Sequence, residues 1–273
     1  MLYEDQLSKI GIGTWGIGGF TQRDANNHDE KQVEALKYML EKGLNFGELC
    51  YWYSEGRAVE LFLEAIRVSK IKNDKLFLIA SIYPHRNKTL VEAEKEFEKL
   101  FKLSDRNYFD SIQYTLSGLV QWGFEQSLNV LRKYLKEGSV RYVSITNSNL
   151  DTLKFYKREF GDKFFSHEVH LSFEIRENED AGIIKYASEN DIINIVYRPL
   201  RRNKTALRNW PLLLELSKKY NKTQNQIILN WLVARGFFSL TKSENISHID
   251  EILDSIKFTM EDVDVKRMTE HKN

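Results

Sequence analysis

Glu48 and Tyr53 stand five residues apart behind a short apolar run, a carboxylate and a phenol placed where protons can be handled. A phenol titrates near pH ~10, so at neutral pH it is a poor acid-base group unless a cation adjusts it. Two readings stay open for each. Glu48 either takes part in chemistry or pairs with an arginine such as Arg198, and Tyr53, closing the triplet Tyr51-Trp52-Tyr53, either reacts or packs. Other polar and aromatic residues also end apolar runs: Trp15, Ser81 with His85, Thr115, Asn147, Glu168, Tyr197 with Arg198, and Lys242 with Ser243. Together they make an aromatic-rich lining with a few polar groups, suited to a planar cofactor or a small organic ligand. His167 and His170 flank Glu168, but residues three apart on a strand face opposite ways, so no metal site is expected. His85, after Tyr83-Pro84, is either a replacement acid or an exposed loop residue, and the second reading is preferred. The run Arg198, Arg201, Arg202 and Lys204 is either a solvated loop or an anion site.

The charge balance narrows the partners. Forty Lys and Arg against thirty-nine Asp and Glu give a formal charge of +1, so no global field recruits nucleic acid or an anionic membrane. Apolar residues at 42% with 29% charged describe a globular chain. The single Cys50 has no internal disulfide partner, which fits a reducing compartment. The start MLYEDQLSKIGIG does not read as a signal peptide, and no apolar run approaches the ~18 residues of a membrane span. A cytoplasmic protein with a small-molecule partner is the expectation.

The elements that must position these residues alternate. Strands are expected at Ile10–Thr14, Asn45–Glu48, Leu76–Ser81, Phe109–Thr115, Val140–Thr146, Ser166–His170, Ile192–Tyr197 and Phe237–Thr241. Runs such as LFLIAS, VRYVSIT and IINIVY are almost continuously apolar, as strands covered on both faces are. Helical stripes lie between them, among them Val33 to Leu40 stopped at Lys42-Gly43, Leu90 to Phe101 capped by Asn87 or Thr89, and Leu128 to Leu135 closed by Gly138. Strand starts recur about every 25 to 45 residues, the length of one βα unit. Eight such units across residues 1–273 predict one α/β domain, a closed (β/α)8 barrel of TIM type, whose site sits at the C-terminal strand ends. An open doubly wound sheet is less well supported, because the glycines of Gly11 to Gly19 lack the G-x-G-x-x-G spacing before a helix.

Several ordered motifs resemble the aldo-keto reductase family over almost the whole chain. Ile10-Gly-Ile-Gly-Thr-Trp15 resembles its opening strand. Gly43-Leu-Asn-Phe46 followed by Tyr53, Gly56 and Glu60 is similar to the block G-I-N-x-x-D-T-A-x-x-Y-G. Gly138-Ser-Val-Arg-Tyr-Val143 with Thr146-Asn147 is similar to G-K-I-R-x-x-G-V-S-N. Tyr197-Arg-Pro-Leu200 resembles Y-S-P-L, and Thr241-Lys-Ser243 resembles the P-K-S near the C-terminus.

That resemblance implies carbonyl reduction by hydride transfer from NADPH, with a tyrosine protonating the oxygen beside a Lys, a His and an Asp. Tyr53 keeps the tyrosine and Glu48 stands for the Asp, whereas the Lys position falls on Ser81 and the His position on Thr115. For the cofactor, Asn147 and Glu168 would face the carboxamide, Tyr197 would stack on the nicotinamide, and Lys242 with Ser243 would take the 2′-phosphate of NADP. His248 stands where an Arg is usual, Glu251 keeps the adenine-side carboxylate, and Trp15 and Arg198 complete the lining. The leading expectation is an NADP(H)-dependent oxidoreductase with a rebuilt site, acting weakly on a small carbonyl or alcohol. A catalytically inactive binding member (sensor or partner subunit), or a barrel of different chemistry using Glu48 and an anionic substrate at Arg198, are the alternatives.

Overall fold

β-Branched and aromatic residues set the strands, and alternate positions along them decide what faces inward. In the computed structural model, which describes residues 6–271, eight parallel strands close into a barrel in the order β1 to β8. They are β1 Ile10–Ile12, β2 Phe46–Leu49, β3 Phe77–Ile82, β4 Phe109–Thr115, β5 Val140–Thr146, β6 Phe164–His170, β7 Ile193–Tyr197 and β8 Phe238–Thr241. β4 and β5 have the bounds expected from sequence, and the others differ by one or two residues at an end. β1 stops early because Thr14 leaves the ladder to donate its hydroxyl to the Glu48 carbonyl at 3.3 Å.

The helices are α1 Asp29–Glu41, α2 Arg57–Ser69, α3 Leu90–Ser104, α4 Leu116–Trp122, α5 Phe124–Glu137 and α6 Leu150–Phe160. They continue as α7 Glu177–Asp180, α8 Ile183–Glu189, α9 Pro211–Tyr220, α10 Gln224–Ala234, α11 Ile246–Asp254 and α12 Asp262–Glu270. Thr89, rather than Asn87, caps α3, in a reciprocal capping box with Glu92. Gly138 ends α5 at φ 75°, a left-handed turn that costs glycine little. No helix among the described residues is long and apolar enough to cross a membrane.

The barrel interior is layered. Phe46, Phe77, Phe165 and Phe238 fill its base, with Phe77 and Phe165 stacked at 4.4 Å. Above them Ser144 Oγ lies 2.7 Å from Ser111 Oγ and 2.8 Å from Ser166 Oγ, three hydroxyls that satisfy one another away from water. The next inward positions, two residues further along each strand, are Gln113 on β4 and Glu168 on β6. With Glu48 on β2 and Ser81 on β3 they form the polar lid of the core and the floor of the cavity above.

Candidate functional site

The floor carries four buried side chains joined by hydrogen bonds. Ser81 Oγ donates to Glu48 Oε2 at 3.3 Å, and Gln113 Nε2 donates to Ser81 Oγ at 3.1 Å and to Glu168 Oε2 at 2.7 Å. Glu48 and Glu168 are 3% and 2% exposed, and no Lys, Arg or His among the described residues forms an ion pair with either. Burial, reinforced by the neighbouring Glu168 carboxylate, pushes the Glu48 carboxyl well up, against hydrogen bonds from Ser81 and Tyr53. Burial raises Glu168 to about 7, opposed by the Gln113 hydrogen bond. Burial therefore favours the neutral acid at Glu48, and the pairing with Arg198 left open from the sequence does not form.

Tyr53 begins the tight turn after β2, where Ser54 and Glu55 adopt φ 45° and 54°. Burial, then Glu48 and then Tyr83, push its phenol well above the usual range. Its ring meets Trp15 edge-on at 4.9 Å, and Trp52 lies 5.4 Å from Trp15 and 5.5 Å from Tyr83. His85 is exposed and lies at 4.2 Å on Trp52, so the loop reading was right about exposure and missed the ring contact.

A cavity of about 720 Å³ opens over this floor, and Glu48, Tyr53, Trp15, Asn147, Glu168, Tyr197, Arg198, Lys242, Ser243, His248 and Glu251 all line it. Asn147 holds φ 52°, and its Oδ1 accepts the Tyr197 hydroxyl at 2.7 Å. Tyr197 stacks on His170 at 5.1 Å, and burial pushes its phenol to about 12. Lys242 Nζ donates to the Gly16 carbonyl at 2.9 Å and pairs with Glu244 at 3.7 Å, while burial lowers its pKa. Ser243 Oγ accepts from Asn245 N at 3.1 Å, and Glu251 takes the Thr223 hydroxyl.

Some expected groups are elsewhere. Thr115 does not reach the cavity. Its hydroxyl caps α4, accepting from Gly118 N at 2.8 Å. Arg201 lines the cavity but is paired with Glu174, which also holds Arg208 at 2.9 Å and Trp210 at 3.0 Å. Arg202 lies 4.5 Å over the Phe20 ring, joining the loop after β7 to the loop after β1. His167 faces outward, fully buried, and burial lowers it to about 3. Among the described residues no cluster of three or more His, Cys, Asp or Glu is placed to hold a metal.

Gln113 and Tyr83 were not singled out from sequence. Both were within reach of the two-residue strand period, since Gln113 precedes Thr115 by two and Tyr83 follows Ser81 by two.

The profile of the Aldo/keto reductase family matches residues 9–273, and the chain belongs to that family. A glycerol 2-dehydrogenase (NADP(+)) of Saccharomyces cerevisiae is 25% identical over 48% of this chain and 42% of its own length. A 9,11-endoperoxide prostaglandin H2 reductase of Trypanosoma cruzi is 21% identical over 97% of this chain and 88% of its own. Among solved structures, a thermostable aldo-keto reductase in complex with the inhibitor epalrestat superposes with a TM-score of 0.86 at 24% identity, covering 96% of this chain and 94% of that one. An aldo/keto reductase from Klebsiella pneumoniae in complex with NADP and acetate has a TM-score of 0.81 at 17% identity, covering 98% and 94%. At these identities the structural likeness concerns the fold.

Proposed function

We propose that the chain is an NADP(H)-dependent oxidoreductase that interconverts a small carbonyl compound and its alcohol, slowly for ordinary aldehydes. The observation that carries this reading is one cavity whose lining brings together the Asn147 amide, the Tyr197 ring and the cations Arg198, Arg202 and Lys242. The donor set fits the cofactor. The Tyr197 hydroxyl occupies Asn147 Oδ1, which leaves the Asn147 amide nitrogen to donate to a carboxamide oxygen. Glu168 would accept from the carboxamide nitrogen, and the Tyr197 ring offers a face to the nicotinamide. Lys242, Arg202, Ser243 and His248 would hold a 2′-phosphate, Arg198 the neighbouring phosphates, and Glu251 the adenine end. That relatives are named for NADP supports the choice.

Bound there, the reduced nicotinamide supplies a hydride to the carbonyl carbon. Trp15 and Trp52 would exclude water from the reacting end, and Tyr53 would donate its proton to the carbonyl oxygen with Glu48 behind it. Donation is costly in this setting, because burial and the neighbouring acids disfavour both the phenolate and the Glu48 carboxylate. Among the described residues no ammonium or imidazolium bonds Tyr53 or Glu48, and such support for a developing oxyanion is worth on the order of 10² or more in rate.

Titration of tryptophan fluorescence with NADPH, followed by NADPH consumption against an aldehyde panel, tests the reading. Binding with slow turnover abolished in Tyr53→Phe is the expected result. Binding with no turnover of any carbonyl would favour a binding-only member, and no NADPH binding at all would remove the proposal.

A further inference from the structure

The floor and one wall of the cavity combine features that carbonyl reduction does not ask for. Glu48 and Glu168 lie in one hydrogen-bonded network with only neutral donors between them. Over them stands a wall of four rings, with Trp15 5.4 Å from Trp52, Trp52 5.7 Å from Tyr53, and Tyr53 6.2 Å from Tyr83. No Lys or Arg among the described residues lies over any of these four rings, although His85 lies at 4.2 Å on Trp52 and Arg202 covers the adjacent Phe20. Three polar atoms of the same lining lack any protein partner. They are Thr241 Oγ1, in a residue 7% exposed, Asn225 Oδ1 and Trp15 Nε1. Buried and unpaired, they mark a place that a ligand completes.

Electron-rich ring faces above carboxyl groups attract a desolvated organic cation and oppose a developing oxyanion. We propose that the preferred substrates carry a C=N⁺ bond, as a cyclic iminium or protonated imine, held between the ring wall and the Glu48/Glu168 pair. For its reductant this rests on the NADP(H) reading above. The step balances without a proton from the protein. The iminium carbon takes a hydride from the reduced nicotinamide, the π pair of C=N becomes the nitrogen lone pair, and the positive charge passes from substrate to oxidised cofactor. The product amine then takes a proton from solvent. The cation that the floor lacks is thus brought by the substrate.

The same arrangement couples binding to proton release. Facing the pair are Ser81 from β3, Gln113 from β4, Cys50 and Tyr53 after β2, Tyr83 after β3 and Tyr197 from β7. The thiol and the three phenols are all raised by burial and so neutral at pH ~7. Arg198 and, on Trp52, His85 also line the cavity, and neither neutralises a bound cation, so the carboxyl pair is the group placed to release a proton to solvent as the cation binds.

The test has two arms on the wild-type chain. Without cofactor, dimethyl tetrahydroisoquinolinium and its uncharged carbon analogue dimethyltetralin are titrated against tryptophan fluorescence and by calorimetry. The cation should bind at least about tenfold tighter, more tightly at about pH 8 than at about pH 6, with a heat that depends on the buffer's ionisation enthalpy. With NADPH, N-methyl dihydroisoquinolinium should show a kcat/KM at least about a hundredfold above that of tetralone, a neutral carbonyl of similar size. Glu168→Gln should abolish the buffer-dependent heat and most of the preference for the cation. If that variant does not fold, the buffer dependence in the wild type decides alone. Equal binding of cation and analogue, no proton release, or equal turnover of iminium and tetralone would each overturn the inference. Cation binding without NADPH binding would sink the cofactor reading while leaving the cation site standing.

Discussion

Gln113 Nε2 lies 2.7 Å from Glu168 Oε2, so a neutral amide reaches the carboxyl that no cation in the described chain touches. The same nitrogen bonds Ser81, which in turn bonds Glu48, and the floor becomes an acid pair relayed through uncharged donors. The protonation of two carboxyls buried this way is felt in the stability of the fold and in ligand binding, and both are measurable.

Stability should fall with rising pH on account of Glu168. Its folded value of about 7 lies above the ordinary 4.5, so the folded state holds a proton that the unfolded state has released. The contribution is complete below the unfolded value and is lost as pH climbs through the folded one, about 3 kcal/mol in all. Relative to Glu168→Gln, the wild type should lose about that much between pH ~5 and ~7 in urea unfolding. Parallel pH profiles for the two proteins would contradict it.

His167 acts in the opposite sense. It is fully buried, neither ring nitrogen has a partner, and burial depresses it to about 3. A depressed imidazole contributes stability above its unfolded value, here 6.5, which is lost as pH falls toward the folded one. His167→Leu should remove that acid loss and, by deleting two unsatisfied buried atoms, raise stability at pH ~7 by about 1–3 kcal/mol. A lower thermal midpoint at neutral pH would show that the imidazole has a partner.

How far the sequence reached follows from which signals are local. Strand period and apolar runs locate the barrel, and because strand ends converge on one face, the sequence alone brings Glu48, Asn147, Glu168 and Lys242 together, and all four line the cavity. Register was harder. Thr115 ends β4 as expected, yet its hydroxyl turns to cap α4, because the helix begins at the next residue and its amides need an acceptor. Whether Arg201 meets a ligand or Glu174 depends on a contact 27 residues away in sequence, which periodicity does not report. The upward shift of the Glu48 carboxyl needed the packing around it, since desolvation is a property of the whole barrel end.

Lys242 should set the preference between the two nicotinamide cofactors. Its ammonium is partly buried in the lining of the cavity, with Arg202 nearby, and a 2′-phosphate there would gain a charge-assisted hydrogen bond. NADPH should bind about tenfold or more tighter than NADH, and Lys242→Ala should erase most of the difference. Raising salt should narrow the gap in the wild type more than in the variant. Equal affinity of the wild type for both cofactors would count against the assignment.

Ser81→Lys should turn the floor into one that reduces neutral aldehydes. The new side chain would leave from the position whose Ser81 Oγ now bonds Glu48 Oε2 and Gln113, which in turn bonds Glu168, so its ammonium would reach into the cavity beside both carboxyls. A lone buried lysine is costly, but here two carboxyls stand ready to ionise and repay its desolvation. With the lysine charged, the phenol of Tyr53 should titrate lower and the oxyanion gain a partner, raising aldehyde turnover by on the order of 10². Thr115→His need not accompany it, and would remove the α4 cap at a cost of about 1 kcal/mol. The gain should disappear on adding Tyr53→Phe, and organic cations should lose their advantage over neutral ligands in the same variant. NADPH consumption measured across pH checks both. A folded Ser81→Lys protein that binds NADPH yet gains no aldehyde activity would show that the missing charge is not what limits this site.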